Sequence, residues 1–473
     1  MNRSLAAEAL IDPWQVRSTV MGQLRGVLAA FFGVIILGLI PIAGTWYGST
    51  LLTWTLVLGW IALFAAAYTV QAQHLFSRDA AGMMTPAVPP TARTANILIM
   101  VFMIIGAAGA IAVVFDFAVL RNYGFTTSAA TIRLEEVVAS LKGLSTSSPI
   151  SGAGRLAIPA FVPAVCLSVI YWKQITTATK VISAVCLTVL LFEQFRFEGG
   201  RFFLTAMALC AVLTAALSPA LAAQRKSLFA NRKLLARLAI LGALMFAFFT
   251  YVFIARIADR DGFFWSAFIN YTGNFFIEVD RSTIRRFDGF FGGIWYSITM
   301  LWLYATQGVT EFDQIVRMDY FQHADGGYQF LQLTQISDSL FGTNLIYDRF
   351  ANLPHMGTYV TMPGSMYIDF GPVVTLLSGA AFGLFAARSA WLMVSGRIGA
   401  LALMAPILLT CAFLASIVSL VQILWPALAW CMLLPILRSQ IESSDGRRGR
   451  RGRGQGHGAG RAGRTTALAR QQG

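Results

Sequence analysis

The chain has 473 residues, of which 56% are hydrophobic and only 12% are charged. Soluble globular domains carry about 25% charged residues, so this composition excludes an ordinary water-soluble protein. The formal net charge is +14, and the five cysteines have no spacing typical of a zinc site or a disulfide framework.

Apolar runs of about 17 to 25 residues recur along the chain, which is the length that a helix needs to cross the hydrocarbon core. They predict an all-α, polytopic transmembrane bundle with about ten spans. The predicted spans are 26–44, 49–70, 95–115, 155–172, 177–193, 201–222, 237–256, 365–388, 398–417 and 419–438. The first span lacks a small-residue cleavage site, so we interpret it as a retained anchor.

The predicted membrane domain, 26–438, lies between two polar segments. The N-terminal segment 1–25 is expected in the cytoplasm, and the Arg/Gly-rich tail 439–473 is expected to be disordered because it has almost no apolar residues. The tail directly follows a predicted span. We therefore expect its arginines to contact anionic membrane lipids and expect no nucleic-acid partner.

Basic residues determine the predicted orientation. Five of them lie between 225 and 237, and short basic loops stay in the cytoplasm. Both termini are then cytoplasmic, in an inner membrane, and the long stretch 257–364 is the outer functional region. This orientation requires that the apolar piece 290–304 is a re-entrant or interfacial helix and does not cross the membrane.

The outer stretch contains the candidate acid–base residues. His323 and His355 are two of the four histidines of the chain, and Asp325 lies close to the first of them. A histidine titrates near neutral pH and can act as a general base, while a structural hydrogen-bonding role is the alternative. No His or carboxylate spacing is typical of a metal site, so we expect neither a metal nor another cofactor.

Arginine clusters are candidate anion sites. Arg201 follows Gly199 and Gly200 at the start of a predicted span, and Arg281 and Arg285 precede the predicted re-entrant helix. The planar guanidinium group suits diphosphate oxygens, and arginine is costly at membrane depth unless it meets an anion. The alternatives are a snorkelling arginine for Arg201 and lipid-phosphate anchoring for the other two.

The segment 357–372 resembles the signature of the bacterial oligosaccharide repeat-unit polymerases, the Wzy or O-antigen polymerase type. In that family, a threonine-bearing outer loop leads into Tyr-x-Asp-Phe-Gly at the head of a late transmembrane helix. Thr361, Tyr367, Asp369 and Gly371 occur here in that order. The Gly-Gly-Arg sequence that ends at Arg201 is similar to the family's mid-chain arginine motif.

The resemblance implies an inverting, metal-independent glycosyl transfer on the outer face of the cytoplasmic membrane. A glycan on undecaprenyl diphosphate would be moved onto a hydroxyl of the next lipid-linked repeat unit. The protein would orient the reactants, neutralise the diphosphate charge and accept one proton. A chain-length regulator and a flippase of the same pathway are possible partners.

The resemblance also assigns roles to residues. The implied substrate-binding residues for the diphosphate and glycan are Arg201, Arg281, Arg285, Arg349, Thr361 and Tyr367. The implied catalytic residues are His323, Asp325, His355 and Asp369. For Asp369 a structural role is the alternative, because a carboxylate at a helix start is favourable by itself.

Three other functions compete with the polymerase. An O-antigen ligase would use the same chemistry on a different acceptor. A lipid-phosphosugar-dependent glycosyltransferase would make more use of Asp259 and Asp261, and would stop when a chelator is added. A transporter or flippase of lipid-linked oligosaccharides would carry ionisable groups at the bilayer midplane and internal repeats, and the sequence has neither.

Overall fold

The protein is mostly helical in the computed structural model. The structure describes 12–42, 44–46, 48–84, 90–123, 148–198, 201–218, 263–272, 277–288, 291–318, 322–343 and 360–454, together with positions 132, 236, 247, 250, 254 and 353. The predicted span 237–256 therefore falls almost entirely outside the described residues. The structural statements below concern the described part of the chain.

The bundle consists of long and short helices. The long ones are α1 (Pro13–Leu39), α2 (Leu51–Ala80), α3 (Ala92–Phe115), α4 (Pro149–Ala157) continued by α5 (Phe161–Ile170), α10 (Gly292–Val316), α12 (Met362–Val394) and α14 (Val421–Gly454). The shorter ones are α6 (Thr177–Glu193), α7 (Arg201–Leu217), α8 (Phe264–Thr272), α9 (Arg281–Phe287), α11 (Leu331–Phe341) and α13 (Ala400–Phe413).

Six helical segments among the described residues are long and apolar enough to cross a membrane: α1, α2, α3, the α4–α5 pair, α12 and α14. Helices α7 and α13 are shorter and also apolar. These helices agree with the predicted all-helical membrane bundle, while the count of about ten spans stays a prediction. Helix α14 continues to Gly454, past the predicted domain boundary at 438.

Threonine residues begin several of these helices. Thr50, Thr91, Thr176 and Thr361 each accept a hydrogen bond from the backbone N–H three residues later. A hydroxyl at this position satisfies one of the N–H groups that the first helical turn leaves without a partner. Helix α1 instead begins at Pro13 after Asp12, earlier than the predicted span, because both residues favour a helix start.

The bundle has two ends, which we name by one residue each. At the Thr50 end, α2 begins, and the backbone N–H of Met362 in α12 donates to Ala415 after α13. At the Asp79 end, α2 finishes, and Asp79 pairs with Arg397 after α12. Helices α2 and α12 therefore run in the same direction.

Close packing brings α2 and α12 together. A Cβ atom added at Gly379 would lie 2.5 Å from the carbonyl oxygen of Trp60, and one at Gly383 would lie 2.3 Å from that of Phe64. Glycine at these two positions allows the helix backbones to approach, as at other membrane helix interfaces. The contact fixes the height of α12 against α2 and therefore the height of the motif at its start.

Helix α10 lies across the Thr50 end. The indole N–H of Trp302 donates to the carbonyl of Leu37 at the end of α1. Further along α10, Asp313 accepts hydrogen bonds from Thr50, and Phe312 contacts Tyr367 of α12. One helix thus contacts the same end of α1, α2 and α12 in turn, which is compatible with the prediction that 290–304 does not cross the membrane.

Two short strands depart from the predicted all-α fold. Strand β1 (Gly44–Trp46) pairs antiparallel with β2 (Ile277–Val279), so that Thr45 faces Glu278. The pair joins the segment after α1 to the segment before α9. Beneath it, a small apolar cluster that includes Phe268, Phe287 and Tyr296 packs separately from the main bundle core.

Candidate functional site

Helix α12 is broken where the sequence motif ends. Gly371 has φ 76° and ψ −174°, and Pro372 follows it. This backbone conformation is almost restricted to glycine, and proline has no N–H to donate to the carbonyl of Ile368. The break therefore leaves carbonyl groups near residues 368 and 369 that need other donors.

A loop supplies those donors. The N–H of Ala324 donates to the carbonyl of Ile368 at 2.9 Å, and the N–H of Asp325 donates to the carbonyl of Asp369 at 3.1 Å. We call residues 322–330 the His323 loop. Because it completes the backbone hydrogen bonds of the broken helix, its position is fixed relative to α12.

The side chain of Asp369 fastens the same loop. Its carboxylate accepts hydrogen bonds from the backbone N–H groups of Tyr328, at 2.9 Å, and Gln329, at 2.8 Å. The side chain is buried, with 1% of its residue surface exposed. A buried carboxylate that accepts backbone hydrogen bonds positions the loop and is poorly placed to reach a substrate. The cap of α12 is Thr361 and not Asp369.

The loop presents two exposed titratable side chains, His323 and Asp325. The imidazole of His323 lies over Gly371, where an added Cβ would be 3.0 Å from Nε2. The ring also makes an edge contact with Tyr367, with ring centroids 5.5 Å apart. Asp325 has φ 48°, a left-handed conformation that aspartate tolerates better than most residues. The motif thus holds an accessible imidazole in a defined orientation.

Tyr367 connects His323 to helix α10. Its ring contacts Phe312 as well, again at 5.5 Å between centroids. Tyr367 is partly exposed, whereas Thr361 is fully buried. Of these two predicted substrate-binding residues, Tyr367 is therefore the one with surface available to a ligand, and Thr361 has the structural role of a helix cap.

A buried polar network behind the loop was not found by reading the sequence. The amide of Gln329 donates to the hydroxyl of Ser365, which donates to that of Ser419. The side chain of Gln422, at the start of α14, donates to the carbonyl of Tyr328 at 2.9 Å. The signal in the sequence that indicates this network is the presence of polar residues within the otherwise apolar starts of helices. The network ties the loop to α12 and α14.

A second carboxylate joins helices at the Thr50 end. One oxygen of Asp313 accepts from the backbone and hydroxyl of Thr50 and from the hydroxyl of Thr53, and the other accepts from Arg317 at 2.6 Å. Burial raises the pKa of Asp313, but these hydrogen bonds outweigh burial, so the net pKa is lowered. Arg317 also donates to the carbonyl of Gly48. The positive charge of Arg317 is therefore paired with the carboxylate of Asp313.

Arg281 and Arg285, two predicted diphosphate ligands, are exposed on α9. Asp280 caps this helix through Ser282, and these hydrogen bonds lower the pKa of Asp280. The next arginine, Arg286, stacks on Trp295 at 4.7 Å near the start of α10.

The far end of α10 approaches the His323 loop. Phe312 lies seventeen positions after Trp295 within this continuous helix, which corresponds to about 26 Å at the helical rise. Arg286 contacts the first of these residues and Tyr367 contacts the second. The structure therefore does not bring Arg281 and Arg285 to Asp369.

The remaining predicted site residues are described incompletely or not at all. Arg201 begins α7, and its side chain lies outside the described part. Arg349 and His355 lie outside the described residues. Among the residues that are described, no group of three or more His, Cys, Asp or Glu is arranged to hold a metal ion.

Comparison of the chain with protein-family models, with curated proteins and with solved structures finds no match. The chemistry of the site is therefore inferred from its residues and their contacts.

Proposed function

We propose that this chain is an inverting glycosyltransferase that joins undecaprenyl-diphosphate-linked repeat units into a surface polysaccharide. The observation that supports the proposal best is the structural role of each motif residue. Thr361 starts the helix, Asp369 anchors the loop, and Gly371 leaves room for the imidazole of His323. The motif that resembles the polymerase signature thus positions an exposed imidazole.

The proposed reaction needs little from the protein besides position, charge and one base. The acceptor hydroxyl oxygen forms a bond to the anomeric carbon, and the bond from that carbon to the lipid diphosphate breaks. The diphosphate leaves with the electron pair, and the hydroxyl proton passes to His323. Asp325, which is also exposed on the loop, is the alternative base.

Residues outside α9 would neutralise the negative charge of the diphosphate. Arg281 and Arg285 are separated from the loop by most of the length of α10. Arg201 and Arg349 remain the proposed diphosphate ligands. Tyr367 offers a ring beside His323 for contact with a sugar of the repeat unit. His355 is a further candidate for the base.

The base is tested by His323→Gln in a reconstituted system that contains the lipid-linked repeat unit. General-base catalysis contributes about 100-fold or more, so we expect the rate of chain growth to fall by at least that factor. The control is Gln322→Ala, an exposed neighbour that should retain the rate. Chain length separates a polymerase, which makes a ladder of products, from a ligase, which transfers once.

Asp325→Asn, tested in the same assay, distinguishes the two candidate bases. Loss of activity in this variant alone would transfer the role of base from His323 to Asp325. Full activity in both variants, with the protein folded and abundant, would contradict a catalytic role for the His323 loop.

The proposal also requires that the Thr50 end faces the outside of the cytoplasmic membrane. All five cysteines are buried, so a single introduced cysteine reports on its own side. In intact cells, a membrane-impermeant maleimide should label Gln322→Cys. It should not label Lys173→Cys, which lies beyond α5 towards the Asp79 end. The opposite pattern would place the site in the cytoplasm, away from the donor.

A further inference from the structure

A cavity of about 450 Å³ opens at the Asp79 end, far from the His323 loop. It lies between the last turns of α2 and α12 and the segment that follows each helix. Its polar lining includes His74, Arg78, Arg388 and Arg397. Because α2 and α12 run in the same direction, both contribute their C-terminal ends to one cavity.

The positive charge of this cavity is only partly neutralised. Arg397 donates to Asp79 at 2.7 Å, and the other oxygen of Asp79 accepts from the indole of Trp391. Arg78 and Arg388 are exposed, and within the described residues their side chains have no hydrogen bond or ion pair. Arg78 and Arg388 therefore line the cavity without a carboxylate beside them, since Asp79, the partner of Arg397, is not one of its lining residues.

Arg397 is fixed in place, unlike its two neighbours. Besides its ion pair, one of its terminal nitrogens contacts the sulfur of Met84 at 3.3 Å. A guanidinium group has five N–H donors, and these two contacts leave others to reach a ligand. Arg397 would therefore give an anion a contact at a fixed position. The two exposed arginines, Arg78 and Arg388, could move to make further contacts with it.

Apart from Gln71, the rest of the lining is apolar. Met83 is 67% exposed, and Leu392 of α12 also lines the cavity. Exposed apolar side chains beside arginines match a ligand that has an anionic group next to a hydrocarbon part. Methionine is flexible and adapts to acyl chains and other irregular apolar surfaces.

The height of the cavity fits the lipid headgroups. Helix α2 has 30 residues and is about 45 Å long, whereas a hydrocarbon core is about 30 Å thick. Its first amide or ionisable side chain after the hydroxyl residues is Gln71, at the start of the last third of the helix. The C-terminal end of α2 therefore extends past the hydrocarbon, where phosphate groups of lipids lie.

We propose that this cavity binds a phosphate group that is carried by an anionic lipid headgroup. Cations at helix C-terminal ends are also favoured by the helix dipole, which explains the presence of arginines there. The dipole does not explain why arginines from two helices and Arg397 converge on one cavity with an exposed methionine. A phosphate between them would pair with the charges of Arg78 and Arg388, for which the described part of the chain supplies no partner.

The test uses the full chain, purified in a neutral detergent. The probes are dioctanoyl phosphatidic acid, dioctanoyl phosphatidylcholine and inorganic phosphate, and the measurement is the apparent Kd from the shift of the unfolding temperature. We expect phosphatidic acid to bind the wild type, and Arg78→Gln/Arg388→Gln to weaken binding by about tenfold or more. The matched control is Lys173→Gln/Lys180→Gln, which also removes two charges near the Asp79 end.

Each outcome decides a part of the proposal. The control pair should retain the wild-type Kd, and the arginine pair should have the wild-type unfolding temperature without lipid. Equal binding of inorganic phosphate would support the phosphate site and overturn the lipid as its source. If phosphatidic acid shifts the wild type no more than phosphatidylcholine does, or shifts the arginine pair equally, the cavity is not a phosphate site. If the arginine pair does not fold, Arg388→Lys, which retains the charge, should bind phosphatidic acid less tightly than the wild type.

Discussion

Two polar regions lie at the Thr50 end, and they are built in different ways. In the His323 loop, Asp369 accepts hydrogen bonds from Tyr328 and Gln329, about 40 residues away along the chain. On α9, Asp280 bonds locally to Ser282 two residues on, and a longer-range hydrogen bond runs from the hydroxyl of Thr283 to the carbonyl of Ile42. The first region joins three separate parts of the chain, and the second is a charged helix at the surface.

This difference indicates which structural features identify a candidate site in this molecule. Arg281 and Arg285 form the denser cluster in the sequence, but their side chains are exposed and remote from the motif. The loop has fewer charges, yet its backbone is fixed by the broken helix and by a buried carboxylate. Several long-range hydrogen bonds to a broken helix and its buried carboxylate, and not the density of charges, mark the region with a defined geometry.

The largest effect is expected for Asp369→Ala, which would break the loop region. The variant loses two hydrogen bonds to a buried carboxylate and leaves two backbone N–H groups without acceptors, at a cost of about 3 kcal/mol or more in the free energy of unfolding. Thermal unfolding in detergent measures it. Asp325→Asn is the control, and should change stability by less than about 0.5 kcal/mol. Equal stability of Asp369→Ala and wild type would show that the loop is held otherwise.

A smaller effect is expected for Gly371→Ala. An alanine must adopt φ 76° and place its Cβ 3.0 Å from the imidazole of His323. We expect a loss of about 1 to 3 kcal/mol, together with slower chain growth because the imidazole is displaced. Gly342→Ala is the comparison variant, since Gly342 has φ 64° and ψ 25° with open space around it, and its loss therefore measures the cost of a left-handed backbone alone. A larger loss in the comparison variant than in Gly371→Ala would refute the contact.

The smallest effect is expected for Arg281→Gln/Arg285→Gln on α9. Both side chains are exposed, so stability should change by less than about 0.5 kcal/mol, and the rate of chain growth by about twofold at most. Thermal unfolding and the reconstituted assay measure the two quantities. A tenfold loss of rate with unchanged stability would mean that these arginines do meet the diphosphate and that the contrast between the two regions is wrong.

Much of the bundle was predictable because membrane helices obey a local rule. Apolar runs placed α3, α6 and α13 within a few residues of their observed positions, and also the start of α2, which continues ten residues past its predicted end at 70. The motif predicted Thr361 in a loop before this helix, whereas Thr361 caps the first turn of α12. The start of α1 was predicted too late, since its first turns bury residues such as Val16 and Val20 on one face while the other face is polar.

Sequence alone determined that the chain is mostly helical, with helices long and apolar enough to cross a membrane, and that residues 361–371 form a distinctive segment, because hydrophobicity and motif spacing are local properties. Only the tertiary structure decided that Asp369 is an anchor, that His323 lies over Gly371, and that Arg281 and Arg285 are remote. Those facts depend on hydrogen bonds and packing between residues far apart in the chain, which no local pattern of residue types specifies.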